Sequence, residues 1–224
     1  MIMYAIRHAE SLANAGLDEG LNSALSERGL AQAEAVGGRF AGCAAFAVYS
    51  SPFLRAIQTA EPVSRRLRLP IRVRPELCEY QGLPAGAEVD LGLGDIEAIT
   101  AAGSGAVRCP DHERAFDWPT ADETLAAMIS RTRAFVAYLK RRWVGRDDVV
   151  LVFGHGSPIA RLIEAWLTDQ PGPAFRFAID NAAVAGLRYV DGVSSLICLN
   201  EASHLRSVGG GEVWSRDREG RDVW

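Results

Sequence analysis

The chain is short of lysine, of paired cysteines, of long apolar runs and of net positive charge. Lys140 is its only lysine, so nearly every cationic side chain is an arginine. Genome composition alone can produce that preference, and it points to no partner. Cys43, Cys78, Cys109 and Cys198 are scattered, with no CxxC pair and no His/Cys cluster at zinc spacing. That argues against a structural zinc module or a disulfide framework, and leaves free thiols in a reducing compartment as the expectation. The amino terminus has no basic segment leading into a long apolar stretch, and no apolar run approaches membrane-spanning length. A soluble cytoplasmic protein is expected, with no membrane partner. The net charge of −4 gives no electrostatic reason to expect nucleic acid as a partner, so any anion site must be a local concentration of positive groups. No internal repeat of solenoid length is present.

What is present is an ordinary globular composition, 48% hydrophobic and 23% charged over 224 residues. One domain over residues 1–224 is the expectation. Met1 to Ile6 reads as a buried strand that ends on Arg7-His8-Ala9-Glu10. Ser11 to Asn22 is a loop. Leu25-Ser26-Glu27-Arg28-Gly29-Leu30 reads as a helix start, with Ser26 as cap and Leu25 packing on Leu30 as a staple. Small or apolar residues at helical spacing carry that helix to about Gly42.

A second strand, Ala45 to Tyr49, leads into Ser50-Ser51-Pro52, where Ser51 suits an N-cap and Pro52 the first helical position. Arg55 then falls in the first helical turn. Ile71 to Val73 is a third strand, followed by Glu79. Residues 80–121 show no sustained period and read as an irregular insertion or lid within the domain. Thr120-Ala-Asp-Glu123 has the form of a capping box for a helix whose apolar positions run from Leu125 to Trp143. Val149 to Phe153 is a strand buried on both faces. Gly154-His155-Gly156-Ser157-Pro158 follows, with Ser157 and Pro158 repeating the cap pattern of Ser51 and Pro52. Val184 to Val190 and Ser195 to Leu199 form a hairpin through Asp191-Gly192. The stretch from Gly209 to Trp224 mixes glycines and charges, with Trp214 and Trp224 able to dock.

Right-handed crossovers through helices make such strands parallel, so His8, Arg55, Glu79 and His155 should emerge at one sheet edge. Together with Arg7 they supply two imidazoles, two guanidinium groups and a carboxyl group. Guanidinium forks and helix amino termini suit phosphate oxygens. A neutral imidazole can serve as nucleophile, and a carboxylic acid can protonate a leaving alkoxide.

Arg7-His8-Ala9-Glu10 with Asn14, Leu25-Ser-Glu-Arg-Gly29 with Gln32-Ala33, Ser50-Ser-Pro52 leading to Arg55 through Ala60, and Gly154-His155-Gly156 resemble the successive motifs of the histidine phosphatase superfamily, the phosphoglycerate-mutase-like group. The resemblance covers the first sixty residues and resumes from about Thr120 to the last strand. It implies an α/β fold, a three-layer α/β/α sandwich around a mixed, mostly parallel sheet. It also implies a phosphohistidine mechanism that needs no metal and no cofactor. By position, His8 would be the nucleophile, with Arg7, Arg55, His155 and the adjoining Gly156 forming the phosphate pocket. Asn14 matches a position that contacts the phosphoryl group, and Glu79 matches the proton donor. The glycine-rich pattern expected behind Glu79 is poor in Gln81-Gly82-Leu83, and Ala9 stands where the family usually has glycine. Glu10 is expected to orient the loop, Arg161 to be solvated or salt-bridged, and His112 and His204 to stand apart from any metal site.

The resulting expectation is a phosphomonoester hydrolase acting on a small phosphorylated metabolite. A mutase would be expected to line its lid with cations. Between Tyr80 and Ala121 the basic residues are only Arg108 and Arg114, against Glu88, Asp90, Asp95, Glu97, Asp111, Glu113 and Asp117. A non-catalytic phospholigand-binding module on the same fold would be expected to lack the histidine or an arginine, and neither is lost. Natural substrate and oligomeric state stay open at this level.

Overall fold

A computed structural model of the chain describes residues 1–18, 20–80, 107–108, 122–143, 148–169 and 177–208. Its centre is β5 (Val149–Gly154), the β-branched run whose residues from Val150 to Phe153 have no solvent exposure on either face. β1 (Ile2–Arg7) and β2 (Ala45–Ser50) flank it, and both run parallel to it. β3 (Ile71–Val73) and β4 (Val107–Arg108) extend the parallel part beyond β2. On the other side β6 (Val184–Val190) pairs antiparallel with β1, and β7 (Val193–Glu201) pairs antiparallel with β6. The order is therefore β4-β3-β2-β5-β1-β6-β7, five parallel strands with an antiparallel hairpin on one edge. The hairpin turns at Asp191 and Gly192, both with positive φ (50° and 82°), the geometry whose twist matches the flanking strands.

Helices cover both faces, because side chains on a strand alternate and each face must be buried. On one face Met3, Ala5, Val150 and Val152 pack with Phe135 and Leu139 of α3 (Leu125–Arg142) and Ile163 and Trp166 of α4 (Gly156–Leu167). On the other, Ile6, Val48, Leu151 and Phe153 pack with Val36 of α1 (Glu27–Arg39) and Ile57 and Val63 of α2 (Leu54–Leu67). This is the three-layer α/β/α sandwich expected from the motif order. The expected insertion at 80–121 lies outside the described residues except at Tyr80 and at 107–108, and the segment from Gly209 to Trp224 lies outside them as well.

The helix starts differ in detail from those the sequence suggested. Ser26 caps α1 by accepting from the Gly29 amide, but Leu30 is half-exposed and forms no staple with the buried Leu25. α2 begins at Leu54 rather than Pro52, and Asn22 Oδ1, reaching over from the loop, accepts the Leu54 amide at 2.7 Å. Ser51 Oγ accepts the Phe53 amide at 3.3 Å and also bonds His155 Nε2 at 2.8 Å. Thr124 caps α3 by accepting from Ala127, and Glu123 forms a paired ion bridge with Arg131, while the Thr120 of the expected capping box lies outside the described residues. α4 starts directly at Gly156, which puts Ser157 and Pro158 inside its first turn and leaves no side-chain cap. Short polar residues before a helix compete for the capping role, and tertiary partners decide which of them takes it.

α1 approaches the loop after β1 closely at Gly29, where a Cβ would overlap the carbonyl oxygen of Glu10. Gly38, in the same helix, faces open space. Gly38→Ala should raise stability by about 0.5–1 kcal/mol through helix propensity, whereas Gly29→Ala should lower it and disturb the His8 loop; urea denaturation of the two variants checks both signs.

Candidate active site

Every strand end that the sequence assigned to the site opens at the same edge of the sheet. His8 follows β1 and is 3% exposed, His155 follows β5 and has no exposure, and Arg55 in the first turn of α2 is 8% exposed. The His8 and His155 rings lie 5.1 Å apart between centroids, tilted by 60°. Arg55 Nε donates to His8 Nε2 at 3.3 Å, and Arg55 Nη1 donates to the Leu21 carbonyl at 2.7 Å. Arg7 Nη1 donates to the Ile179 carbonyl at 2.7 Å, while its buried Nε has no partner among the described residues.

The tautomer of His8 follows from its contacts. Its Nδ1 lies 2.7 Å from the Ala9 carbonyl oxygen, which can only accept, so Nδ1 carries the proton and Nε2 the lone pair. Burial pushes the His8 pKa well below its ordinary value, and the neighbouring Arg55 and Arg7 push it further; the Ala9 carbonyl opposes them. The same order of causes, burial first and then Arg55, His8 and Arg7, depresses His155. His155 Nε2 lies 2.8 Å from Ser51 Oγ, and its buried Nδ1 has no partner among the described residues. Both rings are held neutral.

Glu79 enters from the far side, beyond β3 and the 3₁₀ turn Pro75–Leu77. It keeps some surface open, yet burial of its carboxyl raises its pKa. The Tyr80 amide, which donates to Glu79 Oε1 at 2.8 Å, opposes that rise, as do Arg55, Arg7 and Ser157. The result is a carboxyl group biased toward its protonated form beside two cations. Burial also lowers Arg55 to about 10, still high enough to stay charged at neutral pH.

Asn14 is exposed on the loop after β1, and its Oδ1 accepts from the Ser11 amide. Gly156 opens α4 next to Arg7, where an added Cβ would make only ordinary contact with the guanidinium. Glu10 accepts from Ser26 Oγ at 2.7 Å and pairs with Arg28, so it ties the loop to the start of α1. Arg161 pairs with Glu164 at 2.5 Å, and His204 bonds the Ala182 carbonyl; His112 lies outside the described residues. Ser51, Thr59 and Asn181 also hold the site, and the sequence reading gave none of them that role. Thr59 Oγ1 accepts from the Ala9 amide at 2.9 Å and donates to the Arg55 carbonyl at 2.6 Å. Thr59 was legible as the i+4 neighbour of Arg55, whereas Asn181 carried no local signal. Among the described residues no three His, Cys, Asp or Glu side chains group as metal ligands would.

Residues 3–202 match the family model of the histidine phosphatase superfamily, branch 1. A bifunctional protein of Mycobacterium tuberculosis is 30% identical over 196 residues, which cover 82% of this chain and 49% of the relative. The chain thus spans about half the length of that relative. Among solved structures, a candidate α-ribazole-5′-P phosphatase of Escherichia coli superimposes with a TM-score of 0.67 at 25% identity, covering 90% of this chain and 98% of the other. A mycobacterial glucosyl-3-phosphoglycerate phosphatase in complex with VO3 gives 0.63 at 27% identity, covering 89% and 99%. With a family match over nearly its whole length and a sheet edge that gathers two neutral imidazoles between two guanidinium groups, the chain belongs to the histidine phosphatase superfamily.

Proposed function

We propose that the protein hydrolyses phosphomonoesters of small metabolites by way of a phosphohistidine on His8. One observation carries this reading: the His8 ring is buried and neutral, with Nδ1–H tied to the Ala9 carbonyl and the Nε2 lone pair facing Arg55. In the first half-reaction that lone pair attacks phosphorus and the ester P–O bond breaks. Glu79 passes its proton to the departing alkoxide. In the second, water attacks the phosphoryl group, Glu79 as carboxylate takes the proton, and the P–N bond breaks to release inorganic phosphate and restore neutral His8. Arg7 and Arg55 offset the phosphoryl charge, and a neutral His155 can donate a hydrogen bond to it. Asn14 and the amino terminus of α4 at Gly156 complete the phosphate pocket.

Small phosphorylated compounds are the substrates named for the similar α-ribazole-5′-P and glucosyl-3-phosphoglycerate phosphatases, and the excess of acidic over basic residues between Tyr80 and Ala121 favours hydrolysis over retention of a bisphosphate. No helix among the described residues is long and apolar enough to cross a membrane. A cytoplasmic setting is supported by the free thiols of Cys43, Cys78 and Cys198.

His8→Ala should abolish both turnover of p-nitrophenyl phosphate and the acid-labile phosphoenzyme seen after rapid quench; a variant that still turns over would overturn nucleophilic catalysis by His8. Glu79→Gln should slow alkyl phosphates at least tenfold more than aryl phosphates, whose leaving groups need less protonation. Equal losses would remove Glu79 from the acid role.

The pH profile follows from the two shifts. Activity needs His8 deprotonated, and its depressed pKa moves the acid limb below the ordinary imidazole value of about 6.5. It also needs Glu79 protonated, and its raised pKa moves the alkaline limb above the ordinary carboxylate value of about 4.3. In Glu79→Gln the alkaline limb should vanish from kcat/KM for aryl phosphates once the substrate's own ionisation is accounted for.

A further inference from the structure

Asn181 lies just before β6, far from every motif that marks the site, and is 5% exposed. Its Nδ2 donates to the His8 carbonyl at 2.9 Å and to Asn14 Oδ1 at 3.2 Å. Backbone partners leave no ambiguity about either amide. The His8 carbonyl can only accept, so the Asn181 atom facing it is the NH2 group. The Ser11 amide can only donate, at 3.2 Å, so the Asn14 atom facing it is the oxygen. Asn14 Oδ1 thus takes two donors, and the free end of its amide is the NH2 group.

The next residue shows how firmly this segment is tied to the loop. Ala182 has φ 58°, a left-handed conformation that is strained for a non-glycine residue. In that conformation its amide is shared between the Arg7 carbonyl at 3.1 Å and the His8 carbonyl at 3.2 Å. The peptide joining His8 to Ala9 is consequently pinned at both ends, its oxygen by Asn181 and its amide by Thr59. The Ala9 carbonyl in turn fixes the His8 ring.

We propose that Asn181 is a positioning residue that sets two things with one NH2 group: the aim of the His8 ring, through its peptide, and the donor face that Asn14 turns toward a phosphoryl group. This rests on the phosphohistidine reading of the site. The two roles separate kinetically. Losing the Asn14 orientation weakens phosphate binding in ground state and transition state alike and raises KM, whereas losing the His8 anchor lowers kcat.

Asn181→Asp keeps the shape of the side chain but replaces both donors with a carboxylate facing the His8 carbonyl and Asn14 Oδ1. It should perform worse than Asn181→Ala; an Asp variant closer to wild type than the Ala variant would mean that the residue only fills space, and would overturn the proposal. Each variant is measured with p-nitrophenyl phosphate, and with inorganic phosphate by calorimetry. Binding of phosphate is readable even in a protein without turnover, so failure of the hydrolase reading appears as wild-type phosphate binding with no phosphoenzyme. Asn181→Ala should raise the phosphate Kd and KM about tenfold, the weight of a hydrogen bond to a charged group, and should lower kcat as well. In an Asn14→Ala background Asn181→Ala should leave KM nearly unchanged while still lowering kcat. Additive effects on KM would refute the link through Asn14. Should the Asn181 variants fail to fold, Asn14→Asp on the exposed loop decides the matter. It retains an oxygen for Ser11 and Asn181 but offers the phosphoryl group an anion in place of NH2, so phosphate affinity should fall more than tenfold; wild-type affinity would overturn the proposal.

Discussion

The peptide between His8 and Ala9 is the hinge of the whole crevice. Its carbonyl oxygen takes the Asn181 amide, its N–H goes to Thr59, and the next carbonyl holds Nδ1 of the His8 ring. Around that peptide converge β1, α2 and the segment before β6, so the orientation of His8, the proposed nucleophile, depends on three separate parts of the chain. A neutral imidazole needs such support. With Nδ1–H anchored, the lone pair on Nε2 is fixed in direction and accepts the Arg55 Nε–H.

Keeping that imidazole neutral beside cations is an electrostatic matter. Burial and the two guanidinium groups push His8 and His155 down, while burial of Glu79 pushes its carboxyl up. The carboxyl group and the imidazole are thus shifted in opposite directions, the carboxyl toward its protonated and the ring toward its neutral form, which is the order that the proposed phosphoryl transfer to nitrogen requires. Buried charges cost several kcal/mol apiece without compensation. Arg7 and Arg55 meet that cost in part by donating to the carbonyls of Ile179 and Leu21, and β5, packed on both faces, supplies the rigid floor.

Much of this was legible along the chain. The order of strands and helices, the burial of Val149 to Phe153, the Asp191-Gly192 turn and the junctions bearing His8, Arg55, Glu79 and His155 all have local signals in period, capping residues and turn residues. Helix starts were less legible. Ser51 and Ser157 each had the chemistry of a cap, but Ser51 is shared between the Phe53 amide and His155, and α4 begins ahead of Ser157; α3 takes Thr124 as its cap. Leu30 fitted a staple by spacing and instead faces solvent.

The sequence by itself determined the inventory of reactive groups and the side of the sheet on which they emerge, because the hand of parallel crossovers leaves little freedom in that choice. Only the tertiary structure decided how those groups are aimed. The Asn181–His8 bond joins positions 173 residues apart, and the Thr59–Ala9 bond joins positions 50 apart. No window of sequence contains both partners. A hydrogen bond acts over about 3 Å, and only packing of the finished sheet brings such distant groups within that reach.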